Sequence, residues 1–342
     1  MLAFLKNVNS FFSPMNNQKF DTDGILIVIP VFNDWYSLEM LLRYLDEALN
    51  HESIKCDILV IDDASTIPAH DSFIPVKFQS IKKIHCLELK RNLGHQRAIT
   101  IGLAYVEANV SCQAVIVMDG DGEDTPRDVI KLIKKCSAEG YQKVVFARRN
   151  QRSESHTFKL FYLIYKFFYK LLTGQEIRVG NFSIIPYKIL RRLVVVSETW
   201  NHYAAGLLKA KVPYTEVSTR RGTRLYGQSK MHFVSLVTHG LSAISVQADI
   251  VGVRLLVASC LLIFFTIISI IAVISIKFTT DLAIPGWTSY TVGLLFIITM
   301  QALMVSISLI FLILVGRNYT SFLPQRDYHY FILGLQEIFP KS

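Results

Sequence analysis

The chain has 342 residues, 51% of them hydrophobic, and a formal charge of +9 from 36 Lys and Arg against 27 Asp and Glu. That length holds one large domain with an appendage, and a positive mean hydropathy makes the appendage membrane. The charge suits anionic headgroups and phosphorylated substrates, and no recognisable nucleic-acid module accompanies it; five scattered cysteines without a C-x-x-C pair exclude a disulfide framework and read as reduced packing residues.

Residues 1–23 lack a sustained apolar core with a small-residue cleavage site and are expected to form a loose or membrane-touching lead. ILIVIPV at 25–31 is a short unbroken apolar run, the pattern of a strand covered on both faces. Leu38, Leu41, Leu42, Leu45 and Leu49 then share one face of a helix. Strands are expected at 57–62, 84–89, 114–119 and 143–147, with helices at 95–108 and 126–139. This alternation predicts a mostly parallel sheet with helices on both faces. At 158–172, FKLFYLIYKFFYKLL places Lys159, Lys166 and Lys170 on one helical face among aromatic and aliphatic residues. Such a helix lies in a membrane interface; burial in a core is the alternative. Residues 255–276 and 292–315 are uncharged runs of 22 and 24 residues. At about 1.5 Å per residue, each crosses a hydrocarbon core of about 30 Å. The loop 277–291 between them carries only Lys277 and Asp281, so the positive-inside rule puts the main domain and both chain ends in the cytoplasm.

The densest chemical signal is AVIVMDGDGED at 114–124, a strand that ends in Asp119, Asp121, Glu123 and Asp124. A second acidic strand end is Asp62 and Asp63. Open α/β sheets bind ligands at the carboxyl ends of their strands, and hard oxygen ligands suit a divalent cation carrying phosphates. Thr125, Pro126 and Asp128 read as a helix cap, a first-turn proline and a first-turn acid, which leaves Asp124 readable as a solvated loop residue. An EF-hand does not fit, because its sixth position is Asp124 rather than glycine and its last is Ile130 rather than glutamate. A phosphatase Asp-x-Asp-x-Thr motif is disfavoured by its place in the chain and by Glu123.

VIPVFND (28–34), IDDAS (61–65), RNLGHQRA (91–98), MDGDGED (118–124), ARR (147–149), VGNF (179–182) and GQSK (227–230) stand in the order seen in family 2 glycosyltransferases. With the two apolar runs, the chain resembles the polyprenyl-phosphate branch of that family, relatives of dolichol-phosphate mannose synthase. The resemblance implies an α/β fold of the GT-A, Rossmann-like type at 24–230, then a juxtamembrane segment at 231–254, transmembrane helices at 255–276 and 292–315 around an external loop, and a cytoplasmic tail at 316–342. It further implies Mg²⁺ or Mn²⁺ on Asp119 and Asp121, with Glu123 as a third ligand where glutamine is frequent. The donor, a UDP- or GDP-linked sugar, is expected against Pro30, Asp62, Asp63, Arg91, Asn92 and Gly94. The acceptor is expected to be a polyprenyl phosphate in the bilayer of a bacterial inner membrane, with the enzyme as a homo-oligomer.

Arg148, Arg221 and Lys230 are the cations expected to gather the acceptor phosphate, since guanidinium groups suit phosphate oxygens. A phosphate monoester is largely dianionic at neutral pH and needs no general base. Asn181, where relatives carry an acid, is an amide that cannot serve as one, so transfer with inversion is expected to rest on positioning and charge. A processive polysaccharide synthase would show Gln-x-x-Arg-Trp, and no tryptophan here follows an arginine. A silent membrane scaffold of the same fold would not need the intact acidic cluster.

Overall fold

The structure is a computed structural model describing residues 20–22, 24–69, 77–149, 156–176, 179–227, 233–280, 284–318 and 322–340. In chain order the strands and α-helices are β1 (Phe20–Asp21), β2 (Ile25–Val31), α1 (Trp35–His51), β3 (Cys56–Asp62), β4 (Ile81–Leu89), α2 (His95–Asn109), β5 (Val110–Ser111), β6 (Ala114–Val117), α3 (Pro126–Ala138), β7 (Val144–Arg149), α4 (His156–Thr173), β8 (Ser183–Pro186), α5 (Tyr187–Leu193), α6 (Tyr203–Lys209), β9 (Tyr214–Thr219), α7 (Phe233–Ser245), α8 (Ala248–Thr279), α9 (Trp287–Asn318), α10 (Pro324–Asp327) and β10 (Ile332–Phe339). They fall into two compact units. One comprises Met1–Ser155, Ile177–His239 and Phe322–Ser342; the other comprises His156–Glu176 and Gly240–Ser321.

In the first unit, eight of the described strands form one sheet in the order β10-β4-β3-β2-β6-β8-β7-β9. β2 pairs in parallel with β3 on one side and β6 on the other, and β3 continues in parallel to β4. The chain therefore runs outward from β2 in one direction and then returns to its other flank, which makes the β2/β6 strand ends the switch point where ligands bind in such sheets. Alternation along β2 builds both cores. Leu26 and Val28 join the cluster that includes Ile99, Leu103 and Val106 of α2, while Ile25, Ile27 and Ile29 join the one that includes Leu38, Leu41, Leu42 and Leu45 of α1.

The C-terminal segment, expected as a tail, carries a further strand. β10 pairs antiparallel with β4 along the sheet edge, from Ile332 with Leu89 to Phe339 with Ile84. Phe322 and Phe331 stack on Trp200, with ring centroids 3.8 and 5.3 Å away.

In the second unit, α8 and α9 are each 32 residues long. They are long and apolar enough to cross a membrane, and their flanks are uncovered: Phe264, Phe265, Phe311 and Leu312 are all more than half exposed. Thr299 Oγ1 donates to Thr266 Oγ1 across the pair at 2.9 Å, a polar contact of the kind that joins helices in lipid. On α4, Phe167, Phe168 and Leu171 are exposed, and Lys170 pairs with Glu176 at 2.8 Å. The side chain of Lys159 and nearly all of residues 1–23 lie outside the described residues.

Candidate active site

The acidic loop after β6 is held from below by its last carboxylate. Asp124 is 2% exposed, accepts the Asp119 N–H at 3.0 Å, and accepts Arg149 Nη2 at 2.9 Å on its other oxygen. This corrects the reading of Asp124 as a solvated residue. Burial, then the charge of Asp119, pushes its carboxyl up to about 7, against the pull of Arg149. Thr125 caps α3 as expected, accepting the Asp128 N–H. Gly122 turns the loop at φ +86°, where a Cβ would strike Leu225.

Above this base the remaining carboxylates meet cations and a ring. His95 Nε2 lies 2.8 Å from Asp119 Oδ1. Burial alone would raise Asp119; His95, then Arg149 and His239, together outweigh it and hold the carboxyl below the usual range. Arg224 bridges Asp121, at 3.2 Å, and Asp34. Glu123 takes Arg221 in a fork, Nε to Oε2 and Nη2 to Oε1, both at 2.8 Å. The Gly222 N–H donates to Glu123 O at 2.8 Å and the Leu225 N–H to Asp121 O at 2.9 Å. Residues 221–225 are thus strapped to 121–123 by both side chains and backbone.

The expected site residues separate accordingly. Asp119, Asp121, Glu123 and Arg221 come together. Asp63 is 3% exposed and accepts the Leu93 and Gly94 N–H groups at 2.7 and 2.8 Å. Both of its oxygens are spent on holding the turn before α2, so it positions Gly94, at φ +87°, rather than offering itself to a donor base. Asp62 Oδ1 accepts the Ser65 N–H at 2.9 Å, and among the described residues Oδ2 makes no hydrogen bond. Pro30 is a buried residue of β2, beyond the last β2–β6 pair, Val28 with Val117; Arg91 and Asn92 are exposed. Arg148 lies apart, paired with Glu216 at 3.1 Å, and its neighbour Arg149 reaches Asp124 instead. Alternation is the reason: Val145 and Ala147 share one core cluster, and Arg149 continues that face while Arg148 takes the other. Lys230 and residues 228–232 lie outside the described residues.

Sequence reasoning passed over His95, although it stands in RNLGHQRA immediately after the turn glycine. It also passed over Asp34 and the structural part of Asp124, and among the arginines of the ARR motif it favoured Arg148 over Arg149. Asn181, expected only as a missing base, touches His95 Nδ1 through its amide nitrogen at 3.4 Å.

The donor set fits a divalent cation at two positions. Apart from its contact with His95, Asp119 Oδ1 is buried with no hydrogen-bond partner among the described residues. Burial and the charge of Asp119 raise Asp121, the mark of crowded negative charge that a cation relieves. Glu123, expected as a third ligand, is held on both oxygens by Arg221. Among the described residues, no three His, Cys, Asp or Glu side chains form a closed cage; a site completed by phosphate oxygens is open in this way.

An acidic, arginine-bridged loop at the switch point of a mostly parallel sheet defines a GT-A-type domain. The profile of the family described as Glycosyl transferase family 2 matches residues 26–197, and the chain belongs to that family. It is 27% identical over 285 residues to the uncharacterized glycosyltransferase YkcC of Bacillus subtilis (strain 168), covering 78% of this chain and 81% of that protein. It is 26% identical over 220 residues to the undecaprenyl-phosphate 4-deoxy-4-formamido-L-arabinose transferase of Salmonella choleraesuis (strain SC-B67), covering 62% of this chain and 64% of that one. Among solved structures, glucosyl-3-phosphoglycerate synthase from Mycobacterium tuberculosis, crystallised with Mn²⁺, UDP-glucose and phosphoglyceric acid, aligns with a TM-score of 0.44 at 13% identity over 67% of this chain and 80% of that one.

Proposed function

We propose that this glycosyltransferase moves a sugar from a UDP- or GDP-linked donor to a polyprenyl phosphate in a cell membrane, inverting the anomeric centre and making a lipid-linked sugar for surface glycan modification. The observation that carries this reading is the conjunction, in one family 2 chain, of the Asp119–Asp121 crevice with two helices of membrane-spanning length. The similarity to an undecaprenyl-phosphate transferase supports the acceptor class.

Asp119 and Asp121 would hold Mg²⁺ or Mn²⁺, which neutralises the departing diphosphate. Asp62, one oxygen free of its Ser65 bond, accepts a donor hydroxyl or imide. A phosphate oxygen of the acceptor forms the new bond to the anomeric carbon, and the bond from that carbon to the nucleoside diphosphate breaks. The acceptor phosphate is already ionised, so no side chain need remove a proton, in keeping with the amide at Asn181. Among the described residues, Arg221 and Arg224, now neutralised by Glu123, Asp121 and Asp34, are cations able to meet phosphate oxygens.

Membranes containing the protein are to be incubated with a panel of labelled nucleotide-sugars, with and without polyprenyl phosphate. Label entering a mild-acid-labile lipid fraction, dependent on the added lipid, is the expected result. Label transferred only to water, or into polymer, would remove this reading.

A further inference from the structure

Gln96, Asn181 and His95, with the backbone of Tyr203, form a line of polar contacts that ends on Asp119, and its direction is set by one group that can only donate. The Tyr203 N–H donates to Gln96 Oε1 at 2.7 Å. Tyr203 is itself fully buried and its hydroxyl is 2.7 Å from Ser183 Oγ, so this end is anchored in the core. Gln96 Nε2 is therefore the amine end, and it donates to Asn181 Oδ1 at 3.2 Å. Asn181 consequently turns Nδ2 toward His95 Nδ1 at 3.4 Å, where Gln96 Nε2 also stands at 3.4 Å. A ring nitrogen faced by two amide donors must accept, which puts the proton on Nε2. The other end requires the same tautomer, because Nε2 approaches the carboxylate oxygen of Asp119 to 2.8 Å and two unprotonated atoms repel at that separation. Against desolvation of the ring, Asp119, Asp124 and Asp121 favour a second ring proton. That proton would face both amides, and turning Gln96 over would set its amine against the Tyr203 N–H.

We infer that His95 is a positioning residue: Gln96 and Asn181 lock its Nε2–H tautomer, and the ring in turn fixes the Asp119 carboxylate for a divalent cation. This rests on the reading of Asp119 as a cation-holding carboxylate. It gives Asn181 a task that an acid could not perform, because a carboxylate there accepts from Gln96 but cannot donate to Nδ1.

The test is calorimetric Mn²⁺ binding to the full chain in detergent, beside transfer kinetics with a labelled nucleotide-sugar. His95→Ala should weaken Mn²⁺ by about 10–100-fold, the usual loss when a partner of a ligating group is removed, and lower kcat more than it raises the donor KM. His95→Gln, which keeps an N–H donor, should recover most of the affinity. Near-isosteric Asn181→Asp should lose it with an unchanged melting temperature. Wild-type Mn²⁺ affinity in His95→Ala, while Asp119→Asn has none, overturns the positioning role alone. Unaltered affinity in Asp119→Asn overturns the reading of Asp119 and the positioning role with it. His95→Gln as weak as His95→Ala, or Asn181→Asp at full affinity, also overturns it.

Discussion

Asp121 accepts the Glu123 N–H on one oxygen and faces Arg224 with the other, while burial and the charge of Asp119 work against its ionisation. Asp121→Asn relieves that repulsion and keeps an acceptor. It should therefore leave the thermal midpoint at or above wild type and abolish transfer; a variant that keeps near-normal turnover would remove the cation from the reading. His202 poses the reverse case. Its Nδ1 caps α6 by accepting the Ala205 N–H at 3.2 Å, which requires a neutral ring. Burial, then His239, lowers its value to about 3 from an ordinary 6.5. The unfolded chain takes the proton near pH 6.5 and the folded one resists it, so the stability from this group is whole above pH 6.5 and falls as pH drops from there toward 3. His202→Asn retains a cap and does not titrate. Its unfolding midpoint should change less than that of wild type across this window; an identical acid profile would place the sensitivity elsewhere.

At the scale of elements, the sheet depends on a strand that follows the apolar helices. β10 covers the β4 edge, and Trp200 packs against Phe322 and Phe331. Ending the chain after residue 321 should expose β4, speed hydrogen exchange at residues 84–89 and lower the melting temperature. Unchanged exchange there would mean that β10 adds nothing to that edge. The first strands and helices were legible because their burial repeats locally: ILIVIPV is covered on both faces, and the α1 leucines recur along one side. ILGLQEIF was not, since only Ile332 is buried and an edge strand open on one face carries a weak pattern. Its partner also lies more than 240 residues earlier, and nothing in a short window reports so distant a pairing.

For the whole molecule, the proposed membrane reading makes a topological prediction. A reporter fused after Ser342 should register as cytoplasmic and a tag inserted after Thr280 as external. The reverse pattern would place the Asp119 crevice away from cytosolic nucleotide-sugars.

Composition, apolar run length and the order of short motifs determined the class of molecule: an α/β transferase domain with an acidic strand end and two membrane-length helices. These are local or additive properties, so a linear reading reaches them. Which carboxylates face a ligand and which are spent inside the protein was decided only by the tertiary structure. Asp63 and Asp124 stand beside the half-buried Asp62 and Glu123 in sequence, yet they are fully buried, with their oxygens on Leu93, Gly94, Asp119 and Arg149. The partners of Asp121 and Glu123 are 103 and 98 residues away. Hydrogen-bond and ion-pair partners over such separations are selected by strand register and loop closure, and a single alternation of side-chain direction separates Arg149 from Arg148.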